Sequence, residues 1–417
     1  MVYSCKKEKA DKLPPSIKIS YPVENVTINV MDTIYITGEV TDDKNIEYIT
    51  ISLKNNNNVS VVPNTTITVK NASYTLNEPF MINDIHLTSG RYYFAISASD
   101  GENIKNEYIY VNLVEYPKQR KKIYIFSNNG TVTNVYDVSN NWTSNFIGSF
   151  NGDFLEAAAN SYNQQVAFCG SQSGDMVVLN AGDNTQAWKI QSVNSPTFPY
   201  FTDLYSYDQE FFLSFYDGNV RSYKSNGGGN FNTNLSTYYA ASSVIYNDKI
   251  VINEKSKSGG QEKIGAYYTH FGSNFQSLSL STETVYKELE YTSEGKVYYA
   301  SNIGVNNHLS SYDVNGNFSS VELTFPTGTI KDAIKIYEKK YMVYIDQNIY
   351  LANMNIGSYT TFLNHPNGQK IRFDDVNQEV YVIYGSTVEV YDYNTQTLKS
   401  IYNHPENISD LVVLYNK

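Results

Sequence analysis

Residues 388–392 read Val-Glu-Val-Tyr-Asp, and this short pattern decides the fold because the chain repeats it. Each copy places an apolar residue a few positions before a Tyr or Asn, usually with Asp or a small polar turn next. Seven copies begin at Val132, Val177, Val220, Ile264, Leu309, Ile349 and Val388, at steps of 45, 43, 44, 45, 40 and 39 residues. Self-similarity at such a period predicts a row of equivalent structural units.

Each copy lies among three other short apolar segments. One complete unit consists of the segments Asp203–Tyr207, Glu210–Phe215, Asn219–Tyr223 and Asn230–Leu235. Four short strands in a repeat of this length are typical of a β-propeller blade. The seven units therefore predict a seven-bladed β-propeller over residues 117–417.

The two ends of this region predict how the ring closes. Lys121–Phe126 matches a second strand, with no inner strand before it. The C-terminal residues Ile408–Lys417 match the inner strand Ile330–Lys339 in the spacing of their apolar, Asp and Tyr residues. We therefore expect the C-terminal strand to complete the first blade and close the ring, which removes open sheet edges.

Residues 16–116 predict a separate all-β domain. Thr33–Val40 and Ile46–Leu53 read as two strands, the second with apolar residues at every other position. About seven short strands in some 100 residues suggest a sandwich. Gly90–Gly101 resembles the closing hairpin of bacterial Ig-like and cadherin-like modules. The acids Asp42-Asp43 and Asp100 are too few for the calcium motif of those modules, so we interpret them as turn residues.

The repeat region resembles WD-repeat, YVTN and PQQ-type propellers in outline only. The Gly-His and Trp-Asp pairs of WD repeats are absent. Val178–Trp188 resembles a single PQQ-type blade, and because it occurs once it indicates a propeller and not a cofactor. We predict no cofactor.

The first residues suggest a lipid anchor. Ser4-Cys5 followed by Lys6-Lys7-Glu8-Lys9 resembles the cleavage site of Bacteroidota lipoproteins, in which the Cys carries the lipid. That resemblance implies a lipidated tether over residues 1–15 and a place in the cell envelope, at the outer membrane, facing the surface or the periplasm. Residues 1–4 lack the charged and apolar regions of a signal peptide, so this interpretation expects the true start to lie upstream. The alternative is a chance Cys in a disordered tail.

The amino-acid composition of the chain limits the kinds of partner that it is expected to bind. The formal net charge is -11, which argues against nucleic acid, whose phosphates need a basic surface. Tyr is abundant, at 39 residues against 2 Trp. We interpret Tyr mainly as this chain's strand residue, although Tyr-rich surfaces also bind sugars and proteins. Cys169 lies in an apolar run and reads as a small buried residue.

No catalytic motif is present. The chain has no G-x-S-x-G, H-E-x-x-H or phosphate-binding glycine loop, and its five His are scattered. We therefore predict that the protein is not an enzyme. The loops at one mouth of the central channel are more distinctive, and we predict a partner-binding face there. Its candidate residues are Glu156, Asp203, Glu288, Asp332, Asp410, Tyr200, His365 and His404.

The five acids in that set begin inner strands, so they could form an acidic collar around the channel. The alternative is that they cap strand ends. His365 and His404 could in principle hold a metal, but we predict no metal site.

Three functions follow from these features. The first is a non-catalytic envelope lipoprotein that binds or scaffolds an outer-membrane or surface protein. The second is a surface glycan-binding protein that uses Tyr and Phe in the same loops. The third, a propeller hydrolase or lyase, would need a catalytic set assembled from scattered acids. Fold by itself does not decide among them.

Overall fold

The computed structural model describes residues 12–193 and 197–417. Their regular elements are all β-strands, so the predicted all-β class is confirmed. No helix in these residues is long and apolar enough to cross a membrane. The chain divides into two compact units between Pro117 and Lys118. The anchor candidate Cys5 lies outside the described residues.

The N-terminal unit is one six-stranded sheet in the order β1-β3-β5-β6-β2, with β4 also paired to β3. Its strands are β1 (Ser16–Tyr21), β2 (Val26–Asn29), β3 (Thr33–Lys54), β4 (Thr65–Met81), β5 (Gly90–Ser99) and β6 (Ile104–Val114). Only β2 and β6 pair in parallel. The unit encloses its own apolar core, in which Ile49, Ile51 and Leu53 are buried.

Strand β3 differs from the sequence prediction, because it runs through the two predicted strands without a break. Its first half pairs with β1 and its second half with β5, while β4 follows it along most of its length. The register to β4 shifts between Thr41 and Ile46. The acids expected to end a strand therefore lie at an irregularity within one.

Asp100 does form a turn. Its carboxylate accepts the backbone N–H groups of Glu102 and Asn103 at 2.7 and 2.5 Å. Although slight burial acts the other way, these bonds lower the pKa of Asp100 below its ordinary value, because they favour the charged form.

The C-terminal unit contains, in the described residues, seven four-stranded antiparallel sheets. Its first three strands are β7 (Arg120–Asn128), β8 (Val132–Val138) and β9 (Ser144–Asn151). Six groups of four consecutive strands follow, each group forming one sheet. They are β10 (Glu156–Asn160), β11 (Gln165–Cys169), β12 (Met176–Asn180) and β13 (Gln186–Ile190); β14 (Phe201–Tyr207), β15 (Glu210–Phe215), β16 (Asn219–Tyr223) and β17 (Gly229–Asn234); β18 (Tyr238–Tyr246), β19 (Lys249–Ser256), β20 (Glu262–Tyr268) and β21 (Asn274–Leu280); β22 (Glu283–Tyr291), β23 (Lys296–Ile303), β24 (Asn306–Asp313) and β25 (Phe318–Phe325); β26 (Ile330–Tyr337), β27 (Lys340–Ile345), β28 (Asn348–Asn353) and β29 (Ser358–Asn364); and β30 (Lys370–Asp374), β31 (Glu379–Tyr384), β32 (Thr387–Asp392) and β33 (Leu398–Asn403).

The last strand, β34 (Ile408–Tyr415), pairs antiparallel with β7 and so completes the first sheet. This is the pairing that the sequence match between Ile408–Lys417 and Ile330–Lys339 predicts. The innermost strands are β34, β10, β14, β18, β22, β26 and β30, and each contacts the next in a closed cycle. The first and last strands of this unit thus meet in one sheet.

Cores form where neighbouring sheets face each other. Phe126 of β7 packs against Phe168 of β11, with ring centroids 5.2 Å apart. Several Tyr are fully buried in these layers, and their hydroxyls donate to nearby polar side chains, as Tyr341 does to Glu290 at 2.5 Å and Tyr312 to Asn317 at 2.9 Å. These Tyr are strand residues that fill the core and satisfy their own polar ends. Cys169 is buried and unpaired.

Candidate binding site at the central channel

The seven innermost strands together line a cavity of about 350 Å³, hereafter the central cavity. Its walls are partly apolar, with residues such as Ala158, Leu204, Leu289 and Val412. Charged side chains enter it from several strands. A cavity of this size with a few polar groups is typical of small-ligand sites.

The predicted acids lie around this cavity but are not exposed at its mouth. Asp203, Glu288, Asp332 and Asp410 are 7, 3, 6 and 1% exposed. Glu156 is half-buried, and with Asp203 and Glu288 it lines the cavity. The structure therefore places Glu156, Asp203 and Glu288 in the wall of one cavity and bonds Asp332 and Asp410 to Arg372, which lines it too.

A β-bulge explains their orientation. The register of the inner strand shifts just before Asp203, Asp332 and Asp410, and at the equivalent places before Ser242 and Lys287. A bulge inserts one extra residue and redirects the side chain that follows.

Redirected in this way, these side chains link neighbouring sheets. The N–H of Ile371 donates to Asp332 at 3.0 Å, and the hydroxyl of Ser243 donates to Asp203 at 2.7 Å. The N–H of Glu288 donates to Ser242 Oγ at 3.2 Å. The alternative to a collar was that these acids cap strand ends. These hydrogen bonds give Asp203, Glu288 and Asp332 such a structural role in part.

Cations lie among the acids, and the sequence interpretation missed them. Arg372 donates to Asp332 at 2.8 Å and to Asp410 at 2.6 Å, and Lys370 donates to Asp410 at 3.1 Å. Burial alone would raise the pKa of Asp410, but these two cations outweigh it and lower the pKa below the ordinary value. The collar is therefore mixed in charge. The sequence feature that could have revealed these cations is the alternation Lys370-Ile-Arg372 at the start of the innermost strand.

The acids on the other flank of the cavity behave differently. Burial, reinforced by the nearby Glu156, raises the pKa of Asp203 to about 7. Burial, reinforced by Asp203, also raises the pKa of Glu288 well above its ordinary value. Lys287, next to Glu288 in sequence, pairs with Glu156 at 3.3 Å.

His365 and His404 occupy equivalent Asn-His-Pro loops after the outermost strands of two neighbouring sheets, and both are buried. His365 Nε2 lies 3.0 Å from Glu389, and His404 Nδ1 lies 3.0 Å from the Tyr402 hydroxyl. Burial lowers the pKa of His404 despite the nearby Glu406. Within residues 12–193 and 197–417, no group of three or more His, Cys, Asp or Glu could hold a metal ion.

Tyr200 is only half-buried, and its ring packs on Phe201 and Phe215 at 4.7 and 5.6 Å. A neighbouring group of rings is better placed at the mouth. Phe198 stacks on Tyr216 at 5.3 Å, and Tyr216 packs on Tyr239 at 4.9 Å. We call Phe198, Tyr216 and Tyr239 the aromatic row. Sequence reasoning singled out the Phe198-Pro-Tyr200 loop but missed Tyr216, in the β15–β16 turn, and Tyr239, near the start of β18.

Comparison with known proteins bears on the fold alone. No family model and no curated protein matches this chain. Among solved structures, the WD40 domain of Pan2 from Neurospora crassa matches with a TM-score of 0.50 and 9% identity, over 62% of this chain and 81% of that one. Apo AztD from Citrobacter koseri has a TM-score of 0.49 and 10% identity, over 70% of this chain and 98% of its own.

A quinoprotein alcohol dehydrogenase-like protein from Bacteroides thetaiotaomicron has a TM-score of 0.48 and 13% identity, over 97% of this chain and 99% of its own. At such identities a likeness carries no information on activity. The match to the WD40 domain, together with the four-stranded sheets of the C-terminal unit, shows that this chain contains a β-propeller.

Proposed function

We propose that this protein is a non-catalytic binding protein of the cell envelope, in which an Ig-like domain precedes a seven-bladed propeller that binds a protein partner at its mouth. The seven four-stranded sheets, with innermost strands in a closed cycle, support the blade number. The separate core of the N-terminal sheet supports an independent domain. The partner is a protein of the outer membrane or cell surface.

The observation that carries the proposal is the aromatic row. Phe198 keeps 51% of its surface exposed although its ring is stacked in place on Tyr216. Aromatic rings that are both exposed and fixed are enriched at protein interfaces, because they bury much area and lose little conformational freedom on binding. Phe198 lies in the β13–β14 loop, Tyr216 in the β15–β16 turn and Tyr239 at the start of β18, all at the same end of their sheets. Their ring contacts join them into one surface.

Two charged groups beside the cavity are unsuited to catalysis. Asp332 and Asp410 are both bound to Arg372 and deeply buried. A general acid or base must exchange its proton with a substrate that it can reach. These two carboxylates have their oxygens committed to Arg372, Lys370 and backbone N–H groups instead.

The docking surface is tested by affinity purification from native membranes with Phe198→Ala combined with Tyr216→Ala. We expect a stoichiometric protein partner with the parent chain and its loss with the variant. Phe271→Ala is the matched control, because Phe271 is 83% exposed in the β20–β21 turn at the opposite end of the sheets. Recovery of the same partner by the variant would refute the docking surface.

The same row supports the second function, glycan binding, because aromatic faces stack on sugar rings. Affinity electrophoresis in gels that contain cell-surface polysaccharide separates the two functions. Retardation that is lost with Phe198→Ala, in the absence of any co-purified protein, would favour the glycan. A co-purified protein without retardation would favour the scaffold.

We also propose that Cys5 carries the lipid. The Ser4-Cys5 site and its charged neighbours motivate this assignment. Cells that express the gene with its native upstream region are labelled with a palmitate analogue, and we expect Cys5→Ala to lose the label. Cys169→Ala is the control, because Cys169 is the only other Cys and is buried. A Cys5→Ala chain that labels like the parent would contradict the anchor.

Ring closure is tested by removing residues 408–417. The deletion takes β34 from its partner β7 and exposes the edge of β7. We expect aggregation or a large loss of thermal stability. A deleted chain that melts like the parent would contradict a ring closed by this strand.

A further inference from the structure

One flank of the central cavity contains acids that no cation neutralises. Among the described residues, no Lys, Arg or His nitrogen lies within 4.0 Å of the carboxylates of Asp203 or Glu288. Asp203 accepts the Ser243 hydroxyl at 2.7 Å, and Glu288 accepts the Ser242 hydroxyl at 3.2 Å. The remaining acceptor capacity of this pair faces a cavity that both residues line.

Several polar atoms at this flank are buried and have no hydrogen-bond partner. Glu288 Oε1 is one of them, in a residue that is only 3% exposed. Asn253 is 0% exposed, and both atoms of its side-chain amide lack a partner, as does the Ser214 hydroxyl. Buried polar groups without partners are rare in folded proteins, and each calls for a cause.

Strand register places these atoms beside the acids. Asn253 lies directly opposite Ser242, and Ser214 lies directly opposite Asp203. Directly opposed residues of an antiparallel pair project from the same face of the sheet. Asn253 therefore projects from the face on which Ser242 meets Glu288, and Ser214 from the face on which Asp203 meets Ser243.

We propose that the central cavity binds a small organic amine, with its ammonium group held by Glu288 and Asp203. An ammonium group has three N–H donors and one positive charge, and it supplies what the two acids and the unpartnered acceptors lack. The volume of about 350 Å³ suits a small molecule. The apolar wall formed by Ala157, Ala158, Leu204, Leu289, Ala333 and Val412 suits its hydrocarbon part.

An inorganic metal ion fits this donor set less well. Hard divalent cations such as Ca²⁺ take six to eight oxygen ligands. This flank supplies two carboxylates and scattered hydroxyls, and no three-acid group of the kind that holds a metal occurs in the described residues.

The binding should also release protons. In the empty cavity Glu288 and Asp203 hold protons at higher pH than ordinary acids, because burial raises the pKa of both. The other titratable groups that act on them are Glu156, Lys287 and Glu254. An ammonium favours the charged carboxylates and displaces their protons, so affinity should rise from pH 6 to pH 8.

The probe is n-butylamine, with 1-butanol as a neutral compound of the same shape, and the full chain is used. We expect butylamine, and not butanol, to raise the melting temperature and to give a calorimetric binding signal. The binding enthalpy should change with the ionisation enthalpy of the buffer, which reports proton release. A full chain that binds neither compound, or binds both alike, would overturn the proposal.

Glu288→Gln should weaken butylamine binding by roughly tenfold or more, as expected for the loss of a charged hydrogen-bond partner. Glu290→Gln is the matched control, because Glu290 is also buried, bonds to Tyr341 at 2.5 Å and does not line the cavity. If Glu288→Gln does not fold, Asp203→Asn serves in its place. Equal affinity in the parent chain and in the variant that folds would overturn the proposal.

Salts separate the alternative occupants. CaCl₂ or KCl would identify an inorganic-ion site if either salt stabilised the parent chain but not Glu288→Gln, while butylamine stabilised neither protein. That result would overturn the proposal. Butylamine binding can be tested separately from partner docking, because the double variant Phe198→Ala with Tyr216→Ala leaves the cavity residues in place. That variant should bind butylamine as the parent does.

Discussion

The two flanks of the central cavity use the same position of the repeat in opposite ways. On one flank, Asp332 and Asp410 share Arg372. On the other flank, Asp203 follows the same kind of bulge in its inner strand but accepts the hydroxyl of Ser243 and, within the described chain, pairs with no cation. The repeat thus presents an acid, and the neighbouring sheet decides whether that acid is neutralised.

The acids of one flank support the fold, whereas the acids of the other flank are available to a ligand. Acids fixed by Arg372 hold three neighbouring inner strands together, namely β26, β30 and β34. In the part of the chain that the structure describes, Asp203 and Glu288 have no such cation, and Glu288 Oε1 has no hydrogen-bond partner. A repeat protein can therefore stabilise one part of its channel and leave another part open for binding.

The flanks should also respond to pH with opposite signs. Asp410 has a lowered pKa in the folded state, so its contribution to stability is present above its unfolded pKa and is lost as the pH falls. Asp203 has a pKa raised to about 7. Its contribution is present below the unfolded pKa of about 4 and is lost as the pH rises towards 7.

The largest expected effect comes from removing the cation that defines the first flank. Arg372→Met leaves Asp332 and Asp410 as two buried carboxylates without their shared partner. We expect the free energy of unfolding to fall by about 3–5 kcal/mol, the cost of breaking a buried ion pair by removing one side. Urea unfolding at pH 7 measures this change.

Arg221→Met is the control for that variant, because Arg221 is exposed and lies over the Phe215 ring at 5.2 Å. Its loss should cost about 1 kcal/mol or less. If the two variants lose similar stability, Arg372 does not hold the strands together and the contrast between the flanks disappears.

A smaller effect is expected from exchanging single acids. Asp410→Asn should lower the free energy of unfolding at pH 8 by about 1.5–3 kcal/mol, because a charged hydrogen bond is lost. Asp203→Asn should be neutral or stabilising at pH 8, because the buried charge is removed and Ser243 still has a partner. Urea unfolding of both variants at pH 5 and pH 8 measures the difference. Equal losses in the two variants would show that the flanks are alike.

The smallest effect concerns Lys287, the cation nearest to the second flank. Lys287 lowers the pKa of Asp203, so Lys287→Met should raise that pKa further above about 7. Carboxyl resonances of ¹³C-labelled Asp, followed from pH 5 to pH 9, measure the shift. Lys335→Met is the control, because Lys335 also lines the cavity but pairs with Glu290 at 2.7 Å. An unchanged Asp203 titration would show that Lys287 does not influence the pKa of Asp203.

The sequence predicted much of the framework. The repeat at Val132 to Val388 indicated a propeller, which the structural match confirms. The match between Ile408–Lys417 and Ile330–Lys339 predicted the pairing of β34 with β7. These predictions succeed because strand alternation and repeat length are local properties that a single sequence displays.

The site was harder to predict. The five acids were placed around the channel, but Arg372 was missed because its two partners lie 40 and 38 residues away in other sheets. His365 and His404 were expected at the mouth and are buried against their own and neighbouring strands. Tyr216 and Tyr239 were missed because nothing local marks two distant Tyr as neighbours.

The all-β class, the repeat and the strand that pairs with the start of the second unit can be read from the amino-acid sequence. Each follows from which residues alternate and how often the pattern returns. The folded protein was needed to show which acids are neutralised, which keep raised pKa values and which rings meet at the mouth. Charge pairing and burial depend on distances between sheets, and those distances are set by packing across the whole ring.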